Sequence, residues 1–413
     1  MRIGHIIVDI RRSVHPEMSQ AFVRAGHEVI VYAEDARAAS SSRFARWQDG
    51  AVDIYAIHHI KRNPWLFIFD KLFKPLLGRR FFTTLYALYR YIRSSDCDIY
   101  LVEGDWMGLF VALIAIVRPI KWIVFMHDHE QLGVLLGYPS EPNNRLRVKV
   151  KHWVLRRATA IRANSEVTRD IMVQSGVPAA RIRVIPLHYV SRMLVPGDIA
   201  EFRHASRFGV YARWAVAPHC KLIMCMCRLT PSKGLDLALR AYASAVKEGL
   251  QGRLMICGAD RIVPGLGSYR ALLERLAHEL AIFDQVIFTG NIPTEEVRTY
   301  YAAADLHLVP SHFETFNYSA VEAALVGTPS IVTPLTGCGP WLSRAGAAVI
   351  LRQRDAIEMG ETITRMLGKD AMSADPVGIA ASTRDILGPD RLCGELLAYI
   401  SQIAKGAGKQ RTH

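Results

Sequence analysis

The sequence predicts an α/β fold built from two consecutive doubly wound, Rossmann-like domains facing across a cleft. Three observations carry that expectation. Short apolar, β-rich runs alternate with helix-period segments nearly throughout, the pattern of βαβ units on a parallel sheet. The rhythm is lost near Met193–Pro218 and then restarts. The chain has 413 residues, half of them hydrophobic, which is enough for two cores rather than one.

The elements follow in order. Ile3–Asp9 reads as a buried strand, Pro16–Arg24 as a helix stopped by Gly26, and His27–Tyr32 as the next strand. The unit repeats at Asp98–Val102 (strand), Trp106–Val117 (helix) and Lys121–Met126 (strand), and again at Ala158–Ala163, Ser165–Gly176 and Arg183–Pro186. The segment Met193–Pro218 carries Pro196-Gly197-Asp198 and a polar stretch, so the domain boundary is expected there. The expected domains are 1–205 and 206–413, with the last helix a candidate to cross back to the first. Beyond the boundary, strands are expected at Lys221–Cys227, Gly252–Cys257, Gln285–Thr289, Asp305–Val309 and Pro329–Val332. Helices are expected at Leu235–Glu248, Tyr269–Leu280, Thr294–Ala303 and Asn317–Val326. Doubly wound sheets bind ligands at the carboxyl ends of their strands, so strand-end residues are the ones to weigh.

Composition narrows the function. Lys and Arg total 51 against 38 Asp and Glu, a formal charge of +13, which suggests an anionic partner. Seven scattered cysteines do not make a disulfide framework. Cys225 and Cys227 sit two apart in an apolar run and read as core packing rather than as metal ligands. The N-terminus is too short in apolar residues for a signal peptide, and Gly108–Val117 falls short of a membrane span. The expected location is therefore the cytoplasm.

The segment Asp305–Pro334 is the richest in chemistry. It reads as a strand, a loop bearing Glu314, and a helix bearing Glu322. The free N–H groups and positive dipole end of that helix suit a phosphate. Glu314 can accept hydrogen bonds from a sugar, and Glu322 can reach a second hydroxylated ring such as a ribose. Taken alone, Glu314 could be a helix-entry acid favouring the dipole and Glu322 a solvated helix residue; the pair, after Val-Pro-Ser and before Gly-Thr-Pro, favours a site.

The run Pro310-Ser311-His312-Phe313-Glu314-Thr315-Phe316-Asn317-Tyr318-Ser319-Ala320-Val321-Glu322-Ala323 resembles the Glu-x7-Glu signature of retaining glycosyltransferases with the GT-B architecture, in particular family 4. It departs at Asn317, where that family generally has Gly. A second stretch, Cys227-Arg228-Leu229-Thr230-Pro231-Ser232-Lys233-Gly234, resembles the family's G-R-L-x-x-x-K-G. The resemblance implies donor-binding roles for Arg228, Lys233, Glu314, Phe316, Asn317, Tyr318, Glu322, Gly258 and Ile292. Arg228 and Lys233 would offset the charge of a departing diphosphate. It also implies that His127, after the strand Lys121–Met126, lies near the transferred sugar and that His127 and Glu314 are the catalytic pair. No metal and no other cofactor is expected. His127-Asp128-His129-Glu130 is therefore not taken as a metal site, and Asp96-Cys97-Asp98, which precedes its strand, reads as a polar turn. The first loop, Ile10–Pro16, is bulky and basic where the family commonly has a Gly-Gly loop.

The stretch His58–Arg93 interleaves Lys71, Lys74, Arg79 and Arg80 with Trp65, Phe67, Phe69 and Phe73, and Arg145–Arg157 is a second basic run. Aromatic wedges among cations suit an anionic membrane surface. No nucleic-acid motif accompanies them, so nucleic acid is not an expected partner. The function expected is retaining transfer of a sugar from a nucleoside-diphosphate sugar to a hydroxyl of a saccharide or lipid-linked acceptor, in glycolipid or surface-polysaccharide synthesis at the inner face of the cytoplasmic membrane. The alternatives are a nucleotide-sugar epimerase on the same architecture and a catalytically silent membrane-associated scaffold.

Overall fold

The computed structural model describes residues 1–7, 15–33, 45–49, 52–56, 64–74, 81–126, 144–265, 267–368 and 375–406. They fall into two compact units, Met1–His188 with Pro389–His413, and Tyr189–Gly388.

The first unit carries an eight-stranded sheet. Its strands are β1 (Arg2–Ile7), β2 (Glu28–Ala33), β3 (Ala45–Asp49), β4 (Val52–Ala56), β5 (Ile99–Glu103), β6 (Trp122–Met126), β7 (Ala160–Ala163) and β8 (Ile182–Val184), in the order β3-β4-β2-β1-β5-β6-β7-β8. All pairings are parallel except β3 with β4. The central strands are buried along their whole length, as parallel strands covered on both faces must be. Gly26, at φ +82°, closes the helix His15–Arg24, a left-handed position glycine adopts without strain. Asp98 accepts the Arg2 amide at 2.7 Å ahead of β5, so Asp96-Cys97-Asp98 is a turn at the amino end of its strand.

The second unit has a six-stranded, all-parallel sheet. Its strands are β9 (Lys221–Met226), β10 (Gly252–Cys257), β13 (Val286–Gly290), β14 (Leu306–Val309), β15 (Ser330–Val332) and β16 (Ala348–Ile350); β11 (Ile262–Val263) and β12 (Gly267–Ser268) form a separate two-stranded ladder. The order is β13-β10-β9-β14-β15-β16. Chain order thus reverses between β9 and β14, and such a switch point leaves a crevice at the carboxyl ends of the strands. The core beneath is aliphatic, with Ile223, Leu239, Leu254 and Leu306 inaccessible to solvent. Cys225 belongs to it and Cys227 packs against it, in agreement with the packing reading of that pair.

The division falls at 188/189 rather than after 205. The reason is a helix, Ile199–Arg213, capped by Asp198, in the stretch read as irregular. Its Arg207 pairs with Asp305 at 2.9 Å and its Arg203 reaches the carbonyl oxygens of Ala304 and Val326, which ties it to the second unit. The last helix, Pro389–Gly406, belongs to the first unit, where Leu392, Leu396 and Ile400 join Phe22 in the core.

Candidate functional site

Three chain segments build the site at the switch point of the second sheet. The first leaves β9 through Cys227 and Arg228, makes a turn at Pro231–Lys233, and enters the helix Leu235–Lys247 at Gly234. Gly234 has φ +67°, and a Cβ there would lie 2.2 Å from the Pro310 carbonyl oxygen, so only glycine lets this turn touch the second segment. That second segment, Pro310–Asn317, follows β14. The two are laced by main-chain bonding: the His312 amide donates to the Ser232 carbonyl at 3.0 Å. Arg354 adds a bond from Nε to the Pro310 carbonyl at 3.1 Å.

This lacing brings together residues 81 positions apart. Lys233 Nζ lies 2.5 Å from Glu314 Oε1, and Ser311 Oγ donates to the same oxygen at 2.7 Å. Glu314 is 7% exposed, and its backbone is clamped by the Leu335 carbonyl and the Gly337 amide. A buried carboxylate with two donors is a fixed acceptor, and the ammonium beside it is a fixed cation. Arg228 is exposed and lines a cavity together with Cys227, whose thiol feels the charges of both Lys233 and Glu314.

The third segment is the helix Tyr318–Leu325. Asn317 stands at its N-cap with φ +86°, and its Oδ1 accepts from the Ala320 amide at 2.9 Å and from Ser319 Oγ at 2.8 Å. Asparagine thus supplies both the positive φ and a cap. Phe316 is 2% exposed, packed against Tyr318 and Trp341, with ring centroids 5.5 and 6.2 Å away. Its ring supports the loop from within and presents no open face. Tyr318 is half-buried beside it.

One turn further on, Glu322 borders a cavity of about 380 Å³ that is also lined by Arg228, Gly258, Asn291, Ile292 and Arg192. Burial pushes the Glu322 carboxyl up to about 7, and Arg192, 3.8 Å away, opposes that rise. Gly258 closes the cavity floor: a Cβ there would lie 1.8 Å from the Cys227 carbonyl oxygen. Cys227 and Cys257 line the same cavity, but burial pushes both thiols up to about 12, so they stay protonated and unreactive. Among the described residues no group of three His, Cys, Asp or Glu side chains could hold a metal.

Lys233 therefore meets Glu314, and Arg228, Glu322, Gly258 and Ile292 line one cavity. His127, the cluster 127–130 and the first loop, apart from His15 and Pro16, lie outside the described residues. Sequence reasoning missed Arg192, which precedes the second sheet by some thirty positions and carries no motif. It also missed a buried set at the switch point of the first sheet, between β1 and β5. There His5 Nδ1 meets Ser19 Oγ at 2.9 Å and His5 Nε2 meets Glu103 Oε1 at 3.1 Å. A polar residue inside the apolar run Ile3–Ile7 was the available signal.

Comparison with known proteins agrees with this geometry. The family model described as "Glycosyl transferases group 1" matches residues 214–380, and "Glycosyl transferase 4-like domain" matches 12–188. The D-inositol 3-phosphate glycosyltransferase of Nocardiopsis dassonvillei is 25% identical over 349 residues, 83% of this chain and 78% of that protein. The sucrose-phosphate synthase structure from Thermosynechococcus elongatus superposes with a TM-score of 0.72 at 18% identity, covering 98% of this chain and 100% of that one. HepE of Anabaena, solved with UDP and glucose, gives 0.67 at 16% identity, covering 97% and 100%. With both halves matched by glycosyltransferase families and both sheets doubly wound, the chain belongs to the GT-B glycosyltransferases of the family 4 type.

Proposed function

We propose that the protein transfers a hexosyl group, with retention of configuration, from a nucleoside-diphosphate sugar to a hydroxyl of a glycolipid or surface-polysaccharide acceptor. The observation that carries the donor assignment is the Lys233–Glu314 pair set beside the cavity that Glu322 borders. In this reading the base and ribose enter the cavity, Glu322 accepts the ribose hydroxyls, and Arg228 and Lys233 meet the diphosphate. Glu314 then turns its second oxygen to the sugar. As the glycosidic bond breaks, negative charge grows on the departing phosphate, and two fixed cations stabilise it more than they stabilise the ground state. No metal is required in this scheme, because Arg228 and Lys233 supply the charge. The solved relative bound to UDP and glucose supports the donor class.

The proposed place of work is an anionic membrane surface. On the helix Pro64–Leu72, Trp65, Phe67, Ile68, Phe69 and Leu72 are all exposed, Trp65 at 69%. Lys71 and Lys74 are exposed beside them, whereas Phe73, Phe81 and Phe82 pack on one another. Among the described residues of the stretch, the exposed aromatics are Trp65, Phe67 and Phe69 on this helix and Tyr86 on the helix Phe81–Ser95; Arg79 and Arg80 lie outside the described residues. Among the described residues no helix is long and apolar enough to cross a membrane. Flotation with anionic vesicles at low salt tests this placement: co-flotation lost in Trp65→Ser/Phe67→Ser supports it, and protein left in solution contradicts it.

A further inference from the structure

We infer that Arg192 is a positioning residue of the donor site, holding Glu322 as a carboxylate aimed into the cavity where it binds the ribose of a nucleoside diphosphate. The inference rests on the donor assignment above and adds to it a residue that no sequence motif marks. Arg192 lies in the short turn Ser191–Met193, at the start of the second unit. Its guanidinium stands 3.8 Å from Glu322 and lines the same cavity. The turn is not loosely placed. Arg298 donates to the Leu194 carbonyl at 2.5 Å and to the Arg192 carbonyl at 3.3 Å, and its guanidinium lies over the Phe202 ring, 5.3 Å from its centroid.

The charge balance around Glu322 explains why a partner matters. It is the one acid among the described cavity-lining residues. From just after β9 it is faced by Cys227 and Arg228, from the end of β10 and the loop after it by Cys257 and Arg261, and from the helix Val297–Ala303 by Tyr301. The thiols and the Tyr301 hydroxyl are raised by burial and stay neutral through the physiological range. Arg192 is the cation that forms an ion pair with Glu322. A protonated carboxyl can accept from fewer ribose hydroxyls, so losing Arg192 weakens binding through Glu322 rather than through the ligand.

That mechanism has a signature in pH. Arg192 lowers the Glu322 carboxyl, so Arg192→Gln moves the acid limb of nucleotide binding upward, and each unit of movement is a factor of ten. Calorimetric titration of UDP, GDP and ADP into the full chain between pH 6 and 9 reads it. For whichever nucleotide the wild type binds, Arg192→Gln loses roughly tenfold in affinity at pH 6.5 and comes within about twofold of wild type at pH 9. Arg192→Lys restores the wild-type profile, and in a Glu322→Gln background Arg192→Gln adds no further loss. An equal loss at every pH means a direct ligand contact and overturns the inference, as does an unchanged profile. Failure of the wild type to bind any of the three nucleotides overturns the donor assignment itself, and this inference with it.

Discussion

Glu322→Gln should stabilise the protein, and by an amount that depends on pH. Burial raises the carboxyl from its ordinary 4.5 to about 7. A folded-state pKa above the unfolded one means that the folded chain holds the proton more tightly. The stabilisation this proton brings is complete below about pH 4.5 and is lost as pH rises through 7. At 1.36 kcal/mol per unit, the shift amounts to roughly 3 kcal/mol by pH 8 or above. The Glu322 side chain is 15% exposed, so screening removes little of it. Glutamine keeps the shape and never ionises. For a unit of this size each kcal/mol moves Tm by roughly 2–4 °C, so the variant gains roughly 6–12 °C at pH 8.5 and only roughly 2–3 °C at pH 5. Thermal denaturation of both proteins across that range is the assay. A constant offset between pH 5 and pH 8.5 would refute the reasoning, because it would mean that Glu322 is not a carboxylate held against its desolvation cost.

Other substitutions test the loops. Lys233→Ala leaves Glu314 buried beside a single donor and should cost about 1–3 kcal/mol; with Glu314→Gln the two losses should be strongly non-additive in a double-mutant cycle of stability. Gly258→Ala puts a Cβ 1.8 Å from the Cys227 carbonyl and should abolish nucleotide binding, read by calorimetry, unless the fold itself fails, which circular dichroism distinguishes. Asn317→Ala loses the cap and forces alanine to φ +86°, costing roughly 2 kcal/mol, whereas Asn317→Gly keeps the backbone and should cost a few tenths, both measured by urea denaturation.

Much of this architecture was legible because local pattern and tertiary fate coincide. The strand expected at Gly252–Cys257 is β10, and the helix expected at Leu235–Glu248 ends one residue earlier, because apolar runs and period-3.6 stripes are written in contiguous residues. The hairpin of β3 and β4 was not read: Arg46-Trp47-Gln48-Asp49 has no apolar run, and pairing at a sheet edge makes no demand for one. The helix Ile199–Arg213 was missed for a similar reason, since its polar face is satisfied by Asp305, about a hundred positions away. Lys233 and Glu314 were legible as motifs, but their contact was not, and the Arg192–Glu322 approach exists only in the fold. Phe316 lies in the same motif with its ring buried, and nothing in the sequence distinguishes its packing role from that of its exposed neighbours.

The most direct test of the proposed activity is to incubate the purified protein with UDP-, GDP- and ADP-hexoses and follow the anomeric proton of the released or transferred sugar by NMR. Release or transfer with the donor's configuration retained, abolished in Lys233→Ala and slowed in Glu314→Gln, is the expected result. A product of inverted configuration, or no turnover of any donor with or without acceptor glycolipid, would contradict the proposal of a retaining nucleotide-sugar glycosyltransferase.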